Sequence, residues 1–191
     1  MSDLLILENK DNDAYQMIFN SSKSLVKTLN DVTGLSKIIQ NDEVIKEPLD
    51  LALMLDACIF EVQSMLDRED MHLEKRYPKT LLVEANRVTK DIYRNFLTNA
   101  IKYAAEGKKV IVEVEETLKN IEVKVIDFGQ TIIGEDRKRI FERGKQLKNG
   151  FKRGSGLGLS IVAKIAKAHN GVVGVRENKP TGNVFYYRFP K

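Results

Sequence analysis

Residues 95–104 read NFLTNAIKYA, and the fold turns on how this stretch is read. At about 100° per residue, Ile92, Phe96, Leu97, Ala100, Ile101 and Ala104 fall on one broad face, so the stretch reads as a helix with a buried side. Asn95, Asn99 and Lys102 share a narrow strip at the edge of that face. Asparagine is a poor helix former, because its short amide competes for backbone hydrogen bonds, and a solvated margin alone would account for such a strip.

Outward from this helix the sequence alternates between helical and strand periods. LDLALMLDACIFEVQSMLDRED carries Leu51, Leu55, Ile59, Val62 and Leu66 on one helical stripe. TLLVE, after Pro78, predicts a short strand. KVIVEVEET and NIEVKVIDFG alternate apolar and polar residues and are joined by LKN, the pattern of an antiparallel hairpin. A helix is expected in GLGLSIVAKIAKAHNG, and GVVGVRE and GNVFYYRFP supply two final strands. Helices and hairpins mix without regular β-α-β alternation, so the expected class is α+β, with a mixed, mostly antiparallel sheet covered by helices.

From Asn12 to Gln40 there is no proline and only Gly34, and Ile18, Leu25, Val32 and Ile39 recur every seven residues beside Leu29 and Leu35. This predicts a helix with a narrow apolar seam. Such a seam must bury against a second helix, from its own domain or from another copy, so a homodimer through residues 12–40 is one expectation. Pro48, in NDEVIKEPLD, stops any helix. A helical stem over residues 1–45 and a larger domain over 46–191 follow.

With 42% hydrophobic residues, the 191-residue chain can bury a real core. No run approaches the roughly 18 to 20 apolar residues that cross a bilayer, and Met1 to Glu8 lacks a positive start. Neither a membrane span nor a signal peptide is expected in this segment, and a cytoplasmic location is. The net charge of +4 comes from 31 basic and 27 acidic residues spread along the chain, and only KQLKNGFKRG concentrates positive charge. Trp is absent and no helix-turn-helix or zinc pattern occurs, so nucleic acid is not expected as a partner. Cys58, the single cysteine, lies among apolar residues and reads as core filler.

Two further stretches carry chemistry. In GSGLGLSIV, Gly154, Gly156 and Gly158 precede an apolar helical run. Glycines there let backbone N–H groups approach an anion, and the helix dipole adds positive potential. Lys145, Lys148, Lys152 and Arg153 supply countercharge nearby. The pattern is not a P-loop, and Leu159 stands where a dinucleotide fingerprint needs its last glycine. A flexible loop ending at a helix would use the same glycines. In VKVIDFGQTI, Asp127 ends an apolar strand just before Phe128 and Gly129. A carboxylate there can accept from an exocyclic amino group, and Gly129 would let a flat ring approach. An aspartate before glycine also serves as a plain turn residue.

In this order and spacing the three elements resemble the ATP-binding domain, of Bergerat fold, shared by sensor histidine kinases, DNA gyrase, the heat-shock chaperone of the same superfamily and the mismatch-repair ATPases. NFLTNAIKYA resembles the N box, DFGQTI the first glycine box, IFERG the phenylalanine box and GSGLGL the second glycine box, over about Pro48 to Pro190. LVKTLNDVTGLSKI is similar to the second helix of the dimerisation and phosphotransfer domain of histidine kinases, which draws the resemblance closest to that group. The resemblance implies a two-layer α/β sandwich in which Phe128 to Ser155 form a mobile lid over ATP. It implies that Asn99 binds magnesium, Lys102 contacts phosphate and Tyr103 lies near the adenine. By the same resemblance Asp127 reads the adenine amino group beside Gly129, while Gly154, Ser155, Gly156, Leu157, Gly158 and Leu159, with Lys152 and Arg153, hold the phosphates. One carboxamide oxygen is a weak magnesium ligand, so the ion is expected to arrive with the nucleotide.

In hydrolysing members of this superfamily the position four residues before the magnesium asparagine is usually a glutamate that activates water. Asn95 cannot take that proton. The resemblance therefore implies, with Asn95, Asn99 and Lys102 as the catalytic set, transfer of the γ-phosphoryl group to a histidine. Neither His72 nor His169 lies in the acceptor pattern, a histidine followed by an acidic residue and soon by a proline. His169, in KAHNG, is expected in a last helical turn where partial positive charge suits the dipole, and His72, in DMHLEK, at the entry to a strand.

DLLILENKDNDAY is similar to the end of the first dimerisation helix and its connecting loop. The acceptor helix, any sensor domain and any membrane anchor of the parent kinase are thus expected before Met1, and binding of ATP without self-phosphorylation is expected. The partners implied are that dimerisation helix and a downstream response regulator. An anti-sigma-type serine kinase, or a degenerate nucleotide-binding or partner-binding module without catalysis, is the alternative. Three departures bear on it: Thr131 replaces a glycine of the first box, Gly144 follows FER, and KPTGNVF stands where Gly-x-Gly-Thr is usual. They leave open whether Thr181 or Asn183 touches the adenine.

Overall fold

The computed structural model describes residues 45–142 and 157–191, with Ile18 and Ser22 as two isolated helical positions. The stem expected over residues 12–40 otherwise lies outside the described residues. In chain order the described elements begin with β1 (Glu47–Asp50), α1 (Leu51–Arg68), β2 (His72–Arg76) and β3 (Leu82–Ala85). They continue with α2 (Lys90–Tyr103), β4 (Lys109–Glu116), β5 (Asn120–Asp127) and the one-turn α3 (Asp136–Arg139). The last three are α4 (Gly158–Ala168), β6 (Val172–Glu177) and β7 (Asn183–Pro190).

α1 starts where it does because Asp50 caps it: its Oδ1 accepts from Ala52 N at 3.0 Å and from Leu81 N at 3.1 Å. The stripe of Leu51, Leu55, Ile59, Val62 and Leu66 is buried as its spacing requires. Cys58 is buried with it, and burial pushes its thiol up to about 12. α2 buries Ile92, Tyr93, Phe96, Leu97, Ala100 and Ile101, which adds Tyr93 to the expected face.

Five strands form one sheet in the order β2-β4-β5-β7-β6. β2 runs parallel to β4, and the remaining pairs are antiparallel. The hairpin expected around LKN is β4 and β5, with Val112 opposite Val125. β1 and β3 pair separately, with Pro48 opposite Glu84. Proline is tolerated there because both strands of a two-stranded ribbon are edges.

Alternation along the strands makes two layers. On the inner face Val123, Val125, Phe185, Tyr187 and Phe189 are buried against α2, with Phe96 and Phe185 ring centroids 5.6 Å apart and Tyr93 and Tyr187 6.1 Å apart. Burying each such side chain stabilises the fold by roughly 1.5–3 kcal/mol. The opposite face is charged and self-paired: Lys124 bonds Glu113 Oε1 at 3.0 Å and also pairs with Glu115, while Glu122 pairs with Arg176 and Arg188. The helices therefore lie on one side of the sheet, and a site can form where the helix layer and the sheet end together.

Candidate functional site

Three chain segments meet at that end: the edge of α2, the start of α4 and the carboxyl end of β5. α2 is led in by a 3-10 turn, Arg87–Thr89, in which Asn86 Oδ1 accepts from Val88 N at 3.0 Å. Its register then leaves Asn95 and Asn99 half-buried one turn apart, Lys102 exposed and Tyr103 half-buried. Burial pushes the Tyr103 phenol upward.

The Asn95 carboxamide lies against the first residue of α4. A Cβ added to Gly158 would stand 2.5 Å from Asn95 Oδ1 and 2.8 Å from its Nδ2, closer than real atoms pack. Glycine at 158 is thus required by a neighbouring side chain. It lets the amino end of α4, which carries no side-chain cap hydrogen bond, close against Asn95, one helical turn before Asn99. The first N–H groups of a helix have no intrahelical partner and present positive potential to an anion. Leu157 and Leu159 are half-buried beside Gly158, and Ser160 Oγ donates back to Leu157 O at 2.8 Å, fixing this entry turn. Lys152, Arg153, Gly154, Ser155 and Gly156, together with Lys145 and Lys148, lie outside the described residues.

At the end of β5, Asp127 is 2% exposed. Burial raises its carboxyl from the usual range to about 6, opposed by the donors around it. Its Oδ1 accepts from Gly129 N, Asn183 N and Asn183 Nδ2, each at 3.1 Å, and among the described residues Oδ2 accepts from Asn183 Nδ2 alone, at 3.3 Å. Gly129 is needed for a reason other than ring approach: a Cβ there would lie 2.5 Å from Ala104 Cβ, so the glycine lets the strand end close against α2.

Two of the three departures from the family pattern are built into this corner, and Gly144 lies outside the described residues. Thr131 Oγ1 accepts from Gly182 N at 3.0 Å, Thr181 Oγ1 donates to Gly129 O at 2.8 Å, and Asn178 Nδ2 donates to Asp127 O at 3.0 Å. Gly182 has φ +105° and sits on Asp127 O, where no side chain would fit. The sequence left open whether Asn183 touches the adenine. Its role as a donor to Asp127 follows from the β5–β7 register, which a single sequence does not display.

In residues 128–142, the first part of the expected lid, Ile140 is 8% exposed in the core, Arg137 Nε donates to Ile132 O at 2.7 Å, and its guanidinium meets Glu177 on β6 at 3.3 Å. The rest of the expected lid, residues 143–156, lies outside the described residues. His169 does not carry partial positive charge at the end of α4. It is 2% exposed, burial holds its imidazole below the usual value, and Nδ1–H donates to Ile165 O at 2.8 Å. His72 opens β2 and is exposed.

Among the described residues no group of three or more His, Cys, Asp or Glu side chains could hold a metal ion. The polar side chains at the helix edge are the Asn95 and Asn99 carboxamides and Lys102. That donor set fits a magnesium ion held chiefly by phosphate oxygens and water, and does not fit a caged ion. Nor is any helix among them long and apolar enough to cross a membrane.

Residues 85–191 match the family of histidine kinase-, DNA gyrase B- and HSP90-like ATPases. The heme sensor protein HssS of Staphylococcus saprophyticus is 30% identical over 188 residues, 98% of this chain and 35% of that protein. The sensor-like histidine kinase SenX3 of Mycobacterium tuberculosis is 30% identical over 74% of this chain and 36% of its own length. The chain spans about a third to a half of the length of the curated relatives it matches. Among solved structures, the catalytic domain of the histidine kinase ThkA has a TM-score of 0.69 at 26% identity, over 78% of this chain and 97% of that one. Full-length ShkA, solved with AMPPNP, shares the fold with a TM-score of 0.74 at 24% identity, over 87% of this chain and 35% of that one. The matched region is the ATP-binding catalytic part of sensor histidine kinases.

Proposed function

Because this chain belongs to the histidine kinase-, DNA gyrase B- and HSP90-like ATPase family, we propose that it binds magnesium ATP between α2, α4 and the end of β5. We propose further that it delivers the γ-phosphoryl group to a histidine on a dimerisation helix of the parent kinase. The observation that carries this reading is the placement of Asn95 against Gly158, one turn before Asn99. A carboxamide stands there, and it can orient but cannot take a proton from water. The site is therefore suited to bind and position a phosphoryl donor while leaving proton abstraction to the acceptor's surroundings.

Each residue has a task in that reading. Asn99 supplies one oxygen toward the magnesium ion, Lys102 and the amino end of α4 face phosphate, and Tyr103 flanks the base. Asp127 accepts from the adenine amino group, and residues 152–156 supply the remaining phosphate contacts. His169, buried and bonded within its own helix, is not available as the acceptor. A stem over residues 1–45, distinct from a domain over 46–191, would pair with the dimerisation helix that carries the acceptor. Similarity to ThkA, solved with the response regulator TrrA, supports a response regulator as the downstream partner.

The test is to mix this chain with labelled ATP, magnesium and the separately produced dimerisation helices of its parent protein. Acid-labile, base-stable label on those helices is the expected result. ATP binding without transfer would instead assign a degenerate module, and acid-stable label on another protein a serine kinase.

A further inference from the structure

Asp127 is the group proposed to read adenine, and its surroundings are unusually one-sided. All three donors at 3.1 Å converge on Oδ1, two of them from Asn183. Among the described residues Oδ2 receives a single hydrogen bond, at 3.3 Å. A carboxylate offers about four acceptor positions, so Oδ1 is filled and Oδ2 keeps accepting capacity.

The Asn183 amide cannot turn over to change this. Its Nδ2 also donates to Gln130 O at 3.0 Å, and its Oδ1 accepts from Ile132 N at 2.8 Å. Reversing the amide would set oxygen against the Asp127 carboxylate and Gln130 O, and –NH2 against Ile132 N–H. The amide nitrogen and the oxygen of this side chain are thus each held by neighbours of fixed polarity, which sets its orientation. Asn183 is 4% exposed, so water does not substitute for these partners.

We propose that Asn183 is a positioning residue for nucleotide recognition: it holds the Asp127 carboxylate with Oδ1 filled and Oδ2 turned to an incoming amino group. The proposal rests on the reading of this corner as an adenine site. It makes base selection depend on a side chain that acts through Asp127.

Calorimetric titration of the full 191-residue chain with ATP and with inosine triphosphate, which lacks the 6-amino group, tests it. Wild type, Asn183→Ala and Asn183→Thr are compared in magnesium buffer, with thermal melts to confirm folding. The wild type should prefer ATP. Loss of donors to a charged group should weaken ATP by about 10-fold or more in Asn183→Ala, with a smaller change for the inosine nucleotide. Asn183→Thr, which keeps a hydroxyl donor, should recover part of the preference. If Asn183→Ala weakens both nucleotides equally, or leaves the preference unchanged, Asn183 only fastens residues 130–132 and the proposal is overturned. A wild type that binds neither nucleotide, or both equally, removes the adenine-site reading itself and the proposal with it.

Discussion

Along the ladder between β5 and β7, Ile121 faces Phe189, Val123 faces Tyr187 and Val125 faces Phe185, all buried and apolar. One rung further Asp127 meets Asn183, equally buried but polar. A pleated strand turns every second residue inward whatever its chemistry. The polar rung therefore inherits the rigidity of the apolar rungs next to it, and its cost is offset by hydrogen bonds instead of by packing.

The largest effect separating the two kinds of rung should come from the apolar side. Phe185→Ala removes the partner of the Phe96 ring, and we expect a loss of about 3–5 kcal/mol of stability in urea titrations. A loss below about 1 kcal/mol would mean that the rungs do not form one packed core.

The polar rung should show itself through pH. The folded Asp127 carboxyl lies near 6, above its unfolded value, so the folded state holds a proton that the unfolded chain has released between about pH 4 and 6. The contribution of this group to stability should fall as pH rises through that window, by up to about 3 kcal/mol. Thermal melts at pH 5 and pH 7 should show Asp127→Asn losing much of this dependence. An unchanged dependence would place the titration on another group.

The apolar rungs were legible in the sequence, because KVIVEVEET and NIEVKVIDFG alternate with period two, GNVFYYRFP reads as a strand and α2 repeats near 3.6. The pairing of β2 with β4 was not, since it joins segments separated by α2 and leaves no local signature. Of the site, Asn95, Asn99 and Asp127 were visible as residue types in sequence order. The reason for Gly158 was hidden, because the atom it avoids belongs to Asn95, far away in the chain. His169 was misread because its charge depends on burial, and a helix end in the sequence carries no sign that it is buried.

Two substitutions sharpen the difference at the helix edge. Asn99→Ala should weaken magnesium-dependent ATP binding on the order of 100-fold while leaving the melting temperature nearly unchanged, since a half-buried polar ligand holds little of the core. Comparable affinity with and without magnesium in the wild type would remove Asn99 from metal binding. Gly158→Ala should be the smallest effect. Its added methyl must displace the Asn95 amide, at about 1 kcal/mol or more of overpacking, against a gain in helix propensity of similar size. Asn95→Ala in the same chain should relieve the crowding, and strictly additive effects in the double mutant would show that the two residues do not touch.

The most direct test of a nucleotide site at the polar end of the ladder is the affinity ratio of ATP to inosine triphosphate for the wild-type chain and for Asp127→Asn. A clear preference for ATP in the wild type, reduced to near equality by Asp127→Asn, is the expected result. An undiminished preference in the variant would contradict the assignment of Asp127 as the group that reads the base.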